Sequence, residues 1–216
     1  MQAFGGVITV AQQKGGSGKT TLAATLAVGF RRLGARVALL DTDPQGSLGR
    51  WFMARRARLG DDPALEMSTA SAWGVGYECD KLRRLSDIVI VDTPPKVDSD
   101  LRPALRAADL VIVPVAASHL DLWATEGVLD LCAREKRPVA IVMNRVKART
   151  RLGAEIAAAA ADLHAGIAQA QLGYRVAFAE SMGMGLAAQE LPGATAAHRE
   201  ANALVEEVAT ALAREA

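Results

Sequence analysis

Five short runs of apolar, largely β-branched residues recur along the chain, at residues 6–11, 36–41, 87–92, 110–115 and 138–143. None of them alternates with polar residues, which is the pattern of strands covered on both faces rather than wetted on one. Between and after them lie stretches of helical character, at residues 19–33, 46–58, 100–108, 120–135, 154–170 and 195–214. Strand then helix, repeated, packs as a parallel sheet between two helical layers. The fold expected is α/β, three-layered, with a mostly parallel central sheet in a single domain over residues 1–216. Residues 59–80 are the least regular stretch, with room for a short edge strand near 65–68.

The segment Gln12-Gln13-Lys14-Gly15-Gly16-Ser17-Gly18-Lys19-Thr20-Thr21 stands between the first strand and the first helix. Glycines let successive N–H groups turn inward around phosphate oxygens, and the helix N-terminus adds its positive dipole. Lys19 is placed to reach the β- and γ-phosphates and the Thr20 hydroxyl to bind Mg²⁺. The usual first glycine of such a loop is Gln13 here, and a second lysine, Lys14, stands at its entrance.

Lys14 to Thr20 resembles the deviant Walker A motif of the ParA/MinD family of P-loop ATPases. The resemblance implies a P-loop NTPase fold, ATP and Mg²⁺ as cofactors, and a nucleotide-binding set of Lys14, Gly15, Gly16, Ser17, Gly18, Lys19, Thr20 and Thr21. It implies further that Lys14 reaches across a nucleotide-sandwich homodimer and stabilises charge on the partner's transferred phosphoryl group, as an arginine finger does. Asp41-Thr42-Asp43-Pro44-Gln45-Gly46-Ser47 resembles the family's Walker A′ segment, which makes Asp43 the residue that orients the attacking water and meets the metal through water. Asp41 is expected to end its strand and contribute to the hydrogen bonding around it. Residues 88–95 have the Walker B form, four apolar residues and then Asp92, which would hold Mg²⁺ through water and accept from Thr20. Lys14, Lys19, Asp43 and Asp92 are thus the expected catalytic set.

The resemblance runs on through the rest of the chain and is closest to small ParA-type partition and positioning ATPases without an N-terminal DNA-binding domain. Asn144-Arg145 resembles a pair that some relatives use near adenine, and an amide can both donate to and accept from a base edge. His119 and Asp121 are expected to begin a helix, the alternative being that they face the dimer partner. Arg175 and Glu180 remain open between structure and interface. Arg145, Lys147, Arg149 and Arg151 place four cations in seven residues, a patch suited to DNA phosphates without sequence preference. Arg55, Arg56 and Arg58 are expected on the outer face of their helix, snorkelling over apolar surface.

Composition narrows the partners. Lys+Arg 25 against Asp+Glu 24 gives a formal charge of +1, so the surface as a whole is no nucleic-acid magnet, although a local patch is allowed. No run approaches the ~18 apolar residues of a membrane span, and no leader pattern precedes the first strand. Two cysteines, Cys79 and Cys132, do not frame a disulfide-stapled domain. The expected setting is the cytoplasm and nucleoid, with a ParB-like or cargo adaptor that stimulates hydrolysis. A MinD-like membrane cycle conflicts with Glu206, Glu207 and Glu215 in the tail. An iron–sulfur reductase conflicts with the positions of both cysteines. A regulator of secretion or cellulose synthesis that does not bind DNA stays open.

Overall fold

In the computed structural model, which describes residues 5–95, 101–148, 150–163 and 165–215, seven strands form one sheet. They are β1 (Gly6–Val10), β2 (Val37–Asp41), β3 (Leu65–Thr69), β4 (Ile88–Asp92), β5 (Leu110–Ala116), β6 (Val139–Asn144) and β7 (Gly166–Ile167), in the order β3-β2-β4-β1-β5-β6-β7. Every pairing is parallel. The helices are α1 (Lys19–Arg32), α2 (Ser47–Leu59), α3 (Val75–Arg83), α4 (Arg102–Ala107), α5 (His119–Arg134), α6 (Arg151–Ala161), α7 (Val176–Gly183) and α8 (Thr195–Glu215).

Successive residues of each inner strand are buried on opposite sides. Ile8, Ile88 and Ile90 join the core under α1, α2 and α8, whereas Val7, Val89 and Val91 pack with Cys79 and Leu82 of α3. Val111, Val113, Ile141 and Met143 meet α5 and α6. This double coverage explains the absence of alternation. Gly29 marks the tightest approach: a Cβ there would collide with Val205 of α8. The apolar face of α8, including Ala201, Leu204, Val208 and Leu212, is spent on this core. No described helix is long and apolar enough to cross a membrane.

Four elements differ from expectation. The irregular stretch runs into α3, where Gly74 at the N-cap and Gly76 in the first turn mask a helix only nine residues long. The helix expected over 154–170 starts earlier, at Arg151, with Thr150 as N-cap, and ends at Ala161; beyond it, Gly166–Ile167 pairs with Ala140–Ile141 as β7. Tertiary pairing there overrides alanine's helix preference. α7, at Val176–Gly183, lies where the sequence predicts no element. The expected start of α4 at residue 100 lies outside the described residues.

The sheet order places β1 between β4 and β5. Connections leave β1 and its neighbours toward opposite sides, and a crevice opens at their carboxyl ends. The glycine-rich loop occupies that crevice.

Candidate nucleotide site

The loop after β1 is tied down at both ends by side-chain amides. At its entrance, Gln12 Nε2 donates to Thr125 Oγ1 of α5 (3.0 Å) and to Pro114 O (3.3 Å), while its Oε1 accepts from Gln13 N (2.8 Å). At its exit, Asn144 Nδ2 donates to Ser17 O (2.8 Å) and Asn144 Oδ1 accepts from Arg145 N (2.9 Å). Gly18 adopts φ 94°, and any Cβ there would strike the Asn144 amide. Only glycine serves at this point.

Thr20 Oγ1 donates to Asp92 Oδ2 at 2.7 Å. Asp92 is 1% exposed and its Oδ1 has no hydrogen-bond partner among the described residues. Burial pushes its carboxyl up to about 7, repulsion from Asp41 and Asp43 adds to the rise, and Thr20 and Lys19 oppose it. A buried carboxylate oxygen without a partner beside a threonine hydroxyl fits a hydrated divalent cation. Lys19 is buried, which lowers its ammonium below the usual range against the pull of Asp92 and Asp43.

Asp41 is structural. Its Oδ1 accepts from Asp43 N and its Oδ2 from Gly49 N, both at 3.0 Å, which fixes the turn from β2 into α2. Burial raises its carboxyl. Asp43, half-buried, accepts from Gln45 N at 2.9 Å and faces the cavity. That cavity, about 530 Å³, is lined by Gly15, Gly16, Lys19, Thr20, Asp43 and Arg50 among others. A second chamber of about 290 Å³ adjoins it at Gly18, Thr21 and Arg145, walled by Tyr174, Val176 and Phe178. Together they have the size and division of a polyphosphate cleft and a base pocket. A larger hollow of about 610 Å³ opens beside α2 and β3, but no residue of the phosphate loop reaches it, so it carries none of this chemistry.

Lys14 behaves differently from Lys19. Its ammonium forms an ion pair with Asp121 and reaches Ser118 Oγ at 3.4 Å, at the start of α5, and it does not line the cavity of its own loop. Ser118 caps α5, accepting from Asp121 N at 3.2 Å. Asp121 therefore does more than begin a helix. The Ser-x-x-Asp spacing signals a cap, but nothing in the sequence ties that acid to a lysine 107 positions away.

Other expected sites divide. Asn144 walls the base chamber, yet it spends an amide hydrogen and a carbonyl lone pair on the loop and its neighbour, so it acts as a clamp. Arg145, in the left-handed region at φ 53°, lines both chambers. Lys147 is exposed with its ammonium 5.2 Å from the centre of the Tyr174 ring. Arg151 is exposed and paired with Glu155 at 2.7 Å. Arg149 lies outside the described residues. Arg175 pairs with Glu200, a structural role. The expectation for Arg55 fails: it is 8% exposed, bonded to Glu190 and stacked near Trp51, because α7 and the following turn cover that side of α2. Burial pushes both cysteine thiols up to about 12.

Residues 8–187 match the CobQ/CobB/MinD/ParA nucleotide binding domain. The carboxysome distribution protein A of Halothiobacillus neapolitanus is 31% identical over 157 residues, 67% of this chain and 68% of that one. The chromosome-partitioning ATPase Soj of Thermus thermophilus is 34% identical over 151 residues, 58% of this chain and 59% of its own length. Among solved structures, the cell division ATPase MinD of Pyrococcus furiosus superposes with a TM-score of 0.81 at 18% identity, covering 96% of this chain and all of that one (100%). An ATP complex of McdA from Cyanothece gives 0.78 at 17%, covering 96% and 97%. With the loop, the two strand-end aspartates and the all-parallel sheet in place, the chain belongs to the CobQ/CobB/MinD/ParA nucleotide-binding family.

Proposed function

We propose that this protein is a ParA-type ATPase that binds Mg-ATP, closes into a nucleotide-sandwich dimer, holds non-specific DNA in that state, and hydrolyses ATP when a ParB-like or cargo adaptor stimulates it. The cycle would segregate or position a plasmid, a chromosome region or a protein assembly. The observation that carries the reading is the position of Lys14, anchored to Asp121 on α5 and outside the lining of its own loop's cavity, which leaves a second copy's nucleotide as its proposed target.

In this reading Lys19 neutralises the β- and γ-phosphates, and loop N–H groups hold their oxygens. Thr20 and Asp92 hold the metal, which supplies charge neutralisation on the phosphates. Asp43, braced by Asp41, orients the water whose oxygen bonds to the γ-phosphorus as the bond to the β-phosphate oxygen breaks. Lys14 of the other copy steadies the charge of that transition state. The names of the relatives, a carboxysome distributor and a chromosome partitioner, support positioning as the output.

DNA binding rests on the patch of Arg145, Lys147, Arg149 and Arg151, of which Arg145, Lys147 and Arg151 are exposed, and becomes effective when dimerisation doubles the patch. With Mg-ATP, the protein is expected to shift random duplex DNA, and with ADP to release it. Lys147→Ala with Arg151→Ala should weaken ATP-state binding and flatten its dependence on salt, by about one unit of slope per cation removed. DNA binding that is absent in wild type, or untouched in the double variant, contradicts this assignment.

A further inference from the structure

Arg50 lines the phosphate cavity with Gly15, Lys19, Thr20 and Asp43. Eight other arginines each meet a carboxylate. The Arg50 side chain has no hydrogen bond or ion pair among the described residues, and it is exposed. Its backbone N–H donates to Gly46 O at 3.0 Å, and both of its neighbours are anchored. The preceding Gly49 N donates to Asp41 Oδ2 at 3.0 Å, and the following Trp51 Nε1 donates to Leu186 O at 2.9 Å. A cation with no hydrogen-bond or ion-pair partner among the described residues, on an anchored turn of α2, therefore lines the cavity of the phosphate loop.

Its place within the cavity is informative. Arg50 shares the larger chamber with the loop-entrance glycines, Asp43 and Pro95, and has no part in the base chamber beyond Thr21. In the proposed nucleotide site, the entrance side is where the terminal phosphoryl group would meet Asp43. A triphosphate brings an extra anionic group to that side, whereas a diphosphate ends short of it. Guanidinium matches phosphate oxygens with two parallel N–H donors.

We infer that Arg50 is a specificity-determining residue that engages the terminal phosphoryl group and lets the cavity distinguish a nucleoside triphosphate from a diphosphate. The inference rests on the nucleotide-site reading above and adds a contact that the phosphate loop does not supply.

The test is equilibrium binding of fluorescent Mg-ADP and of a non-hydrolysable Mg-ATP analogue to wild type, Arg50→Ala and Arg50→Lys. Arg50→Ala is expected to weaken the triphosphate analogue about tenfold, the scale of one charge-assisted contact, and the diphosphate less than about twofold. Arg50→Lys, with charge but no fork, should fall between. Melting without nucleotide should be unchanged, since the exposed side chain makes no hydrogen bond or ion pair among the described residues. Equal losses for both nucleotides, or no loss for either, overturn the role of Arg50. Wild type binding neither nucleotide overturns the site reading itself, a result distinct from the first.

Discussion

Lys14→Ala is expected to lower ATP hydrolysis by about 10³-fold, the lower range for a charge supplied to a transferring phosphoryl group by a second subunit. Nucleotide affinity of the isolated chain should stay within about threefold, because the Lys14 ammonium lies on Asp121 and does not line its own cavity. The same change in Lys19, which is buried and lines the cavity, should abolish binding outright. The contrast separates a residue that acts in trans from one that acts in cis. Turnover by Lys14→Ala at the wild-type rate would remove the trans role. Mixing Lys14→Ala with a binding-competent but Asp43-deficient chain gives a second readout. A mixed dimer has one site with both an intact Asp43 and an intact incoming Lys14, and partial activity should return.

Asp92→Asn is expected to raise the stability of the nucleotide-free protein while stopping its chemistry. The Asp92 carboxyl in the fold sits at about 7, above its ordinary 3.8, so the neutral form is the one the fold accommodates. Its contribution to stability is complete below pH ~4 and is lost as pH rises through about 7. At pH 8 wild type carries the full cost of a buried charge, with a ceiling of about 4 kcal/mol for a rise of this size. Asparagine removes that charge and keeps an oxygen for the Thr20 hydroxyl. The variant should melt several degrees higher at pH 8, at about 2–4 °C per kcal/mol for a chain this long, and the gap should close toward pH 4. Adding Mg-nucleotide should stabilise wild type and leave the variant almost unmoved, with hydrolysis down by about 10²-fold or more. A variant that melts lower than wild type at pH 8 without ligand would contradict the assignment of burial as the dominant force on this group.

Much of this was legible because the information was local. Ile8, Val89 and Ile141 belong to runs with no polar alternation, and burial on both faces is the only use a soluble sheet has for them. Lys19, Thr20, Asp43 and Asp92 each sit at a strand end or a glycine turn, where neighbouring residues announce the geometry. What stayed hidden depends on contacts between distant segments. Gln12 reads as an ordinary loop residue, yet it ties the loop to Thr125 on α5. Asn144 is suited to a base edge by chemistry, and packing against Gly18 turns it into a clamp. Asp121 looks like a capping acid until the fold brings Lys14 to it. Arg50 stands in no motif and gains meaning only from the cavity it faces. The two-residue β7 has no periodicity to detect, since it exists only through its pairing with β6.

The central claim is an ATP-dependent dimer whose hydrolysis is set by Asp43. Asp43→Ala keeps the loop, Lys19 and the Thr20–Asp92 pair, so nucleotide should still bind while the attacking water loses its guide. Sedimentation of Asp43→Ala with Mg-ATP is therefore the most direct measurement. A stable species at twice the monomer mass, present with ATP and absent with ADP, is the result expected. A monomer under both conditions would contradict the account.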